Sequence, residues 1–319
     1  MKTVFTLGPA SQDKTLIEYF CNIADRFRLN IAHLSLPELE NRLSQLDNIF
    51  KLHRKLPVVL DLQGAKMRIG KYPDREYLPA EVTLFLGDTT DNITKIPIPH
   101  PDLFKSLQIG DRISLNDAKI QLEIIEINQN SAEAKVITNG ALSSHKGINR
   151  SNHPIPFTAL VERDRTAIEC GLKYDFVQFA CSFVLDGKEA AYLRKWIGDR
   201  YLIAKLERPE AMLYLKEIDR NFDEIWFCRG DLGSQAGLKA LGQLQADFIA
   251  SFPQLAKPKF LAGQVLEYMT HFPQPTRSEV VHLYDMQKAG FDGIVLSDET
   301  AVGQYPDQVA EFLQEFFND

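Results

Sequence analysis

Two short apolar runs separated by a helical pattern constrain the fold of this chain most strongly. Leu202–Leu206 and Ile225–Cys228 are each too short to form a helix, and charged residues close both runs. The residues between them show the period of an amphipathic helix of about 14 residues. Residues 202–233 are therefore predicted to form a strand–helix–strand unit, which is the building block of parallel sheets.

Ionisable groups stand at the carboxyl ends of these two predicted strands. Lys205 and Glu207 are two residues apart, so they point to the same side of a strand. Asp231 is expected to end the neighbouring strand. Because the carboxyl-end rim of a parallel barrel carries the catalytic groups, Lys205, Glu207, Arg229 and Asp231 are predicted to converge there. Spacing alone leaves open the alternative that these carboxylates face solvent or pair with Arg229.

The same alternation of strand and helix runs through most of the chain. It predicts eight strands, at 4–7, 29–34, 58–60, 176–183, 202–206, 225–228, 259–262 and 293–297. Other helices are predicted at 15–24, 37–53, 277–289 and 306–317, and the expected capping signals are Ser11, the pair Asp186 and Glu189, and the pair Thr276 and Glu279. The chain is therefore assigned to the α/β class as a (β/α)8 barrel, or TIM barrel.

One stretch interrupts this alternation after the third strand. Its strand-like segments are separated by turn signals, without a convincing helix, and lie at 82–86, 112–115, 119–127 and 133–138. We expect a small, inserted all-β lid domain at 70–155, with the barrel formed by 1–69 and 156–319.

Composition excludes several classes of protein. A net charge of −7 and a pI of about 5.6 disfavour nucleic acid and acidic membranes as main partners. The four cysteines lie far apart without a CxxC pair, which is typical of reduced thiols in a cytoplasmic protein. No secretory leader and no run of membrane-spanning length is recognised. A cytoplasmic location is expected.

The pair Glu207 and Asp231 is the strongest candidate for metal binding. Mg²⁺ prefers oxygen ligands, and in enzymes it often takes one or two carboxylates together with substrate oxygens and water. Lys205 is predicted to be functional too, because burying an unpaired ammonium on an inward-facing strand is costly. Gly230 can offer its backbone N–H to an anion.

Further basic groups stand near the predicted insertion and at the end of the second strand. Lys66 and Arg68 lie where the chain leaves the barrel, and Lys146 lies where it returns. These side chains can bind phosphate, although solvated charges on a linker are the alternative. His33 is expected at the rim, where a lone histidine is more often structural than catalytic.

The chain resembles pyruvate kinases at a series of short motifs in the same order. The matching stretches are 6–11 (TLGPAS), 61–68 (DLQGAKMR), 146–149 (KGIN), 182–184 (SFV), 204–207 (AKLE), 229–233 (RGDLG), 275–279 (PTRSE) and 296–301 (LSDETA). The resemblance covers the barrel and its lid, but not the C-terminal domain that usually follows. A monomer or homodimer is therefore expected.

This resemblance implies a role for each candidate residue. The expected catalytic residues are Lys205, Arg68 and Lys66; the substrate-binding residues are Arg229, Gly230, Asp231, Gly263 and Ser182; the nucleotide contacts are Arg68, Lys146 and His33; and the metal ligands are Glu207 and Asp231. The implied cofactor is Mg²⁺, or Mn²⁺ in its place. The implied partners are a small enol phosphate or 2-oxo acid and a nucleotide such as ADP or ATP.

The chain departs from the family pattern at several positions. Where the second strand of the family ends in an arginine followed by an asparagine and a serine, His33, Ser35 and Pro37 are expected here. Leu62 replaces a threonine of the K⁺ site, so K⁺ is not expected to be required. Gly263 replaces a substrate-contacting threonine and is expected to leave a space at the reacting end of the substrate.

The sequence therefore predicts a pyruvate-kinase-like, Mg²⁺-dependent phosphotransferase that acts on phosphoenolpyruvate or a related enol phosphate, with altered rather than ordinary pyruvate kinase activity. One alternative is a metal-dependent lyase or aldolase that acts through a pyruvate enolate. The other is a non-catalytic binding protein that keeps the barrel as a scaffold.

Overall fold

A computed structural model describes residues 1–64, 66–116, 119–150 and 160–318. Its strands are β1 Lys2–Thr6, β2 Arg26–Asn30, β3 Val58–Leu62, β4 Met67–Arg68, β5 Glu81–Leu86, β6 Lys95–Ile98, β7 Arg112–Leu115, β8 Ile120–Asn128, β9 Ser131–Thr138, β10 Gly147–Arg150, β11 Val177–Cys181, β12 Leu202–Leu206, β13 Glu224–Cys228, β14 Lys259–Ala262 and β15 Gly293–Leu296. Its helices are α1 Lys14–Phe20, α2 Leu36–Phe50, α3 Pro101–Ser106, α4 Glu162–Gly171, α5 Lys188–Ile197, α6 Leu215–Asn221, α7 Arg229–Ala236, α8 Leu238–Ser251, α9 Arg277–Ala289, α10 Asp298–Ala301 and α11 Pro306–Asn318. Short 3-10 segments occupy Pro9–Ser11, Ile31–His33, Pro209–Tyr214, Phe252–Gln254 and Glu267–Thr270.

The predicted barrel is confirmed. Eight strands close in the order β1, β15, β14, β13, β12, β11, β3 and β2, and neighbouring pairs run parallel. All five residues of β12 are buried, as expected for a strand with helices outside and a packed barrel inside. One buried apolar cluster of this barrel is formed by Val4, Val59, Ala180, Ile203, Trp226, Cys228, Phe260, Ala262 and Val295.

The second sheet has seven strands, in the order β4, β10, β7, β8, β9, β5 and β6, and has its own apolar core. It agrees with the expected β-rich insertion after the third strand. The expectation that this stretch contains no helix was wrong, because Pro101 opens α3. Proline suits the first position of a helix, since its missing N–H would have no helical partner there.

Backbone contacts divide the chain into two compact units. The first comprises Met1–Gly64, Ala159–Gly233 and Leu238–Asp319, and the second comprises Ala65–Thr158 and Ser234–Gly237. The boundaries predicted from the sequence are 69/70 and 155/156, and the second of them lies outside the described residues.

Several local expectations need correction. Asp13, not Ser11, caps α1 by accepting a hydrogen bond from the Thr15 N–H at 2.6 Å. The Ser11 hydroxyl instead accepts the Gly8 N–H within a preceding 3-10 turn. Gly187 is the N-cap residue of α5, and Glu189 accepts the Leu185 N–H, so the predicted capping box of Asp186 is absent.

The helix expected between β12 and β13 was also too long. Pro209 opens a 3-10 segment, and the regular helix α6 is only the seven residues Leu215–Asn221. By contrast, the capping box of Thr276 and Glu279 is confirmed at the start of α9. All four cysteines are buried as free thiols. Among the described residues, no helix combines the length and apolar character needed to cross a lipid bilayer.

Candidate active site

A cluster of buried charges lies inside the first unit at the carboxyl ends of its strands. The Lys205 ammonium lies 3.0 Å from both carboxylate oxygens of Asp61 and 2.9 Å from Oε1 of Glu207. It also donates a hydrogen bond to the Ser182 hydroxyl at 2.9 Å. Lys205, Glu207 and Asp61 are only 7%, 2% and 3% exposed, so water screens these interactions weakly. The structure therefore brings Lys205 and Glu207 together, as their spacing predicted.

Arg28 extends this cluster from β2. Its Nε donates a hydrogen bond to Oδ2 of Asp61 at 2.8 Å, and its Nη1 donates one to the Thr6 hydroxyl at 2.9 Å. Asp61 thus lies between two cations, Arg28 and Lys205. This arrangement fixes both cations in position before any ligand arrives, which is the condition for electrostatic stabilisation of a transition state.

The protonation states follow from these contacts. Burial alone disfavours the charged form of Lys205, but Asp61 and Glu207 outweigh it and raise the pKa of the ammonium. Burial likewise works against the charge on Asp61, yet Lys205 and Arg28 hold the pKa of its carboxyl below the ordinary value. Asp61 and Glu207 therefore keep Lys205 in its charged form at neutral pH.

The role of Arg28 was missed because the sequence placed the second strand at 29–34. The structure ends β2 at Asn30, and His33 lies three residues later in a 3-10 segment. An arginine and an asparagine therefore do stand at the end of this strand, at Arg28 and Asn30. The assignment of their places to His33 and Ser35 was wrong. The signal was available, because Arg26 and Arg28 alternate with apolar residues at the period of a strand.

Glu207 and Asp231 approach the rim from different kinds of element. Glu207 directly follows β12, and its Oε2 accepts the Phe183 N–H at 2.8 Å. Asp231 does not end a strand as expected, because β13 stops at Cys228 and Asp231 lies in the first turn of α7. Since β12 and β13 are neighbours in the barrel, both carboxylates still belong to the same sector of the rim.

The carboxylates of Glu207 and Asp231 are suitable ligands for a hard divalent cation. Both candidate ligands present carboxylate oxygens, which Mg²⁺ and Mn²⁺ accept. In the described parts of the chain, no cluster of three or more histidine, cysteine, aspartate or glutamate side chains could hold a metal. A metal here would therefore depend on Glu207, Asp231 and oxygens from substrate and water, as Mg²⁺ sites of phosphoryl-transfer enzymes commonly do.

Arg229 and Gly263 form a second cluster of the first unit. Arg229 donates from Nε to the Gly263 carbonyl at 2.9 Å and from Nη2 to the Gln264 carbonyl at 2.8 Å. Gly263 adopts φ +86°, and a side-chain Cβ at this position would lie 3.1 Å from the backbone nitrogen of Gly230. A side chain at Gly263 would therefore crowd the Gly230 backbone, while the expected space at the reacting end of the substrate stays a prediction.

Asp164 supports the segment after β3 and was not recognised in the sequence. Its carboxylate accepts the Gln63 and Gly64 N–H groups, each at 2.9 Å, and burial raises its pKa to about 6. Gly64 has φ +58°, and a Cβ there would lie 2.4 Å from the Ser182 carbonyl oxygen. Glycine is therefore required where this turn passes the backbone of Ser182.

His33 lines a cavity of about 510 Å³ beside this cluster. The cavity is bounded by Thr6, Leu7, Gly8, Pro9, Gln12, Arg28, Asn30, His33, Leu34, Glu38, Arg42, Ser297, Asp298, Ala301 and Val302. Arg28 thus has one face towards Asp61 and also borders the cavity. The volume falls within the range of small-molecule sites, which is about 300–1,000 Å³.

The basic residues of the second unit lie on or beside two paired strands. Arg68 in β4 lies opposite Gly147 in β10, and its Nη1 donates a hydrogen bond to the His145 carbonyl at 2.9 Å. Lys146 immediately precedes β10, and its carbonyl accepts the Ile69 N–H. Lys66 precedes β4, and its Cε lies 3.5 Å from the position that a Cβ on Gly147 would occupy. The structure therefore brings Lys66, Arg68 and Lys146 to one edge of this sheet.

Comparison with known proteins identifies relatives of nearly the whole chain. A family model described as the barrel domain of pyruvate kinase matches residues 1–310. A pyruvate kinase of Methylorubrum extorquens is 33% identical over 311 residues, which cover 96% of this chain and 65% of that protein. A pyruvate kinase of Thermococcus litoralis is 34% identical over 326 residues, which cover 98% of this chain and 68% of that protein.

A solved structure shows the same relationship. The crystal structure of pyruvate kinase from Pyrobaculum aerophilum matches with a TM-score of 0.86 and 26% identity, covering all of this chain and 73% of that one. This chain spans just under two thirds of the length of the relative from Methylorubrum extorquens.

Proposed function

Since the chain belongs to the pyruvate kinase family, we propose that it transfers a phosphoryl group between the enol oxygen of a pyruvate-like 2-oxo acid and a nucleotide, with Mg²⁺ as cofactor. The observation that carries this proposal is the buried cluster in which Asp61 holds two cations, Arg28 and Lys205. Phosphoryl transfer requires mainly positioning and neutralisation of the oxygens of the transferring group, which such a cluster supplies.

The formal charges of the Arg28–Asp61–Lys205 cluster and of the two candidate metal ligands support this reaction. Arg28 and Lys205 contribute two positive charges, and Asp61, Glu207 and Asp231 contribute three negative charges, which leaves −1. A divalent cation on Glu207 and Asp231 changes this sum to +1, which favours a phosphorylated, anionic substrate. The metal would neutralise and polarise the carboxylate and enol oxygens of the substrate as a Lewis acid.

Lys205 has the most direct role in this proposal. Its three N–H donors point to Asp61, Ser182 and Glu207, and a phosphoryl or enolate oxygen would replace one of these acceptors. Because the ammonium is already oriented and stays charged, it stabilises negative charge on the transferring group without reorganisation. The phosphoryl group leaves the enol oxygen for a terminal oxygen of the nucleoside diphosphate, and the resulting enolate then takes up a proton to give the 2-oxo acid.

The remaining assignments complete the proposal. Arg28, at the border of the 510 Å³ cavity, would bind phosphate oxygens, and His33 would line the nucleotide site. Arg68 and Lys146 are assigned to nucleotide phosphates and Lys66 to catalysis, by the family resemblance. Ser182, Arg229, Gly230 and Gly263 would shape the substrate site. A cytoplasmic monomer or homodimer stays a prediction from the sequence.

A coupled assay tests this function. Purified protein is given phosphoenolpyruvate, ADP and Mg²⁺, and pyruvate is detected through lactate dehydrogenase. Lys205→Met should lose at least about a hundredfold in turnover, as removal of one preorganised donor does in other enzymes. Lys188→Met is the matched control, since Lys188 is exposed at the start of α5 and pairs only with its neighbour Asp186 among its ion pairs in the described chain.

A partial reaction separates phosphoryl transfer from enolate chemistry. Exchange of pyruvate methyl protons with deuterium, followed by NMR, reports enolate formation without net turnover. Exchange that depends on Mg²⁺ and increases with ATP supports the kinase. Metal-dependent exchange without any effect of nucleotide favours the lyase or aldolase, and absence of both activities across a series of 2-oxo acids and enol phosphates favours the binding protein.

A further inference from the structure

Arg229 is held by three neighbours, one of which is a histidine. Its Nε and Nη2 donate to the carbonyls of Gly263 and Gln264, and its Nη1 lies 2.6 Å from Nε2 of His282 on α9. A guanidinium can only donate hydrogen bonds, so Nε2 of His282 must be the acceptor. The ring is therefore neutral, with its proton on Nδ1. None of these three contacts joins Arg229 to a carboxylate.

The backbone that Arg229 holds is strained. Gly263 and Gln264 have φ values of +86° and +53°, and Gln264 is one of four described residues other than glycine with a positive φ. Such conformations persist only where surrounding contacts enforce them. Gly263 also passes the backbone nitrogen of Gly230, in the first turn of α7. Arg229 thus fixes the loop after β14 against the turn that carries Asp231.

We propose that His282 is a pH-sensitive positioning residue, whose neutral ring latches Arg229 onto the Gly263–Gln264 loop and whose protonation releases it. A protonated ring has no lone pair on Nε2, so the hydrogen bond to Nη1 of Arg229 is lost. Two cations then face each other at the same short distance, and Arg229 turns away from the two carbonyls. The consequence for turnover rests on the proposed function, but the latch itself does not.

The charges around the latch agree with this behaviour. Burial and the charge of Arg229 lower the pKa of His282, and Asp285 on α9 only partly opposes them. Burial lowers the pKa of Arg229 to about 10, opposed by Glu299 on α10, so the guanidinium stays charged when the histidine titrates. The Glu299 carboxylate is itself engaged by the N–H groups of Val265, Leu266 and Ser297.

The direction of the pH effect follows from the lowered pKa. The unfolded chain binds a proton at His282 near pH 6.5, whereas the folded chain resists it until a lower pH. The latch therefore contributes stability above this window and loses it as the pH falls through it. The loop should open on acidification and close again on return to neutral pH.

Hydrogen–deuterium exchange of peptides that contain residues 263–266 tests the latch without any substrate. Wild-type protein is compared with His282→Gln between about pH 5 and 8, after correction for intrinsic exchange rates. Glutamine places its carbonyl oxygen near the position of Nε2 and does not titrate. Wild-type protection should fall by up to about tenfold per pH unit below the histidine pKa, whereas protection in His282→Gln should stay constant.

Two further variants complete the design. His271→Gln is the matched control, since His271 is an exposed histidine that follows the 3-10 segment Glu267–Thr270, and it should behave as wild type. His282→Lys places a permanent cation beside Arg229 and should show low protection even at neutral pH. The same pH dependence in wild type and His282→Gln, or full protection in His282→Lys at neutral pH, would overturn the latch.

Kinetics then connect the latch to the site. The KM for the 2-oxo acid or enol phosphate should rise on acidification in wild type and stay within about twofold in His282→Gln, with kcat changing less. The experiments distinguish failure of the latch from failure of the proposed function. If exchange at residues 263–266 depends on pH but the protein has no phosphotransferase activity, only the proposed function is refuted. Phosphotransferase activity with identical KM profiles and identical exchange in both proteins refutes the latch alone.

Discussion

Asp61→Asn tests how much the buried ion pairs of Asp61 with Arg28 and Lys205 contribute to stability. The substitution keeps the shape of the side chain but removes the negative charge between Arg28 and Lys205, which contact it at 2.6–3.0 Å. Breaking a buried ion pair on one side costs about 3–5 kcal/mol, because the partner charge stays buried and uncompensated. Lys205 keeps Glu207 as a partner, so we expect a loss of about 3–4 kcal/mol.

Tryptophan fluorescence during urea unfolding measures this loss in the relevant unit. The chain has two tryptophans, Trp196 on α5 and Trp226 on β13, and both belong to the first unit. Asp175→Asn is the control, since Asp175 forms an exposed ion pair with Lys55 at 2.6 Å. Its unfolding midpoint should equal that of wild type, because exposed pairs are screened and contribute little.

A double substitution isolates the coupling. If Asp61 and Lys205 stabilise each other, Asp61→Asn with Lys205→Met should be less destabilised than the sum of the single variants, by about 0.5–3 kcal/mol. A single-variant loss below about 1 kcal/mol, or additive losses within about 0.5 kcal/mol, would refute the reasoning that these charges depend on one another.

Three further predictions follow from the site. Asp231→Asn should abolish Mg²⁺-dependent ligand binding in a thermal-shift assay. The protein without ligand should unfold at the wild-type temperature, because Asp231 is partly exposed in the first turn of α7. Unchanged metal affinity would contradict its role as a ligand. Phosphotransferase activity should be independent of K⁺, because Leu62 replaces a threonine of the family's K⁺ site and offers no side-chain oxygen. Strong activation over a Na⁺ control of equal ionic strength would contradict this. Gly263→Thr should lower the free energy of unfolding in urea by about 1–3 kcal/mol. The φ of Gly263 is +86°, and the threonine Cβ would lie 3.1 Å from the Gly230 nitrogen. Wild-type stability of this variant would show that the loop adapts.

The sequence by itself determined the barrel. Strand-length apolar runs such as Leu202–Leu206 alternate with helical patterns, and this local period is enough to predict parallel strands with helices outside. It also determined that Lys205 and Glu207 share a side, because side chains two residues apart on a strand always do. The capping box of Thr276 and Glu279 was equally local, since its donors and acceptors lie within one turn.

The predicted ends of strands were less accurate where local sequence signals compete. Leu29–Leu34 continues the apolar pattern of β2, but the chain turns after Asn30, whose side chain accepts the Ala32 N–H at 3.2 Å. That error concealed Arg28 as a member of the site. Similarly, Asp231 was expected at the end of a strand, although α7 begins directly after β13.

Only the tertiary structure decided which distant residues meet. Arg28, Asp61, Ser182 and Lys205 lie on or directly after β2, β3, β11 and β12, which are successive neighbours in the sheet, and only the pairing of these strands brings their side chains within hydrogen-bonding distance. The same holds for Gly263, whose closed surroundings depend on a backbone N–H from a neighbouring strand-to-helix turn. Local periodicity fixes the direction of a side chain relative to its own strand, but its partner on a nearby strand is fixed only by which strands pair and in which register.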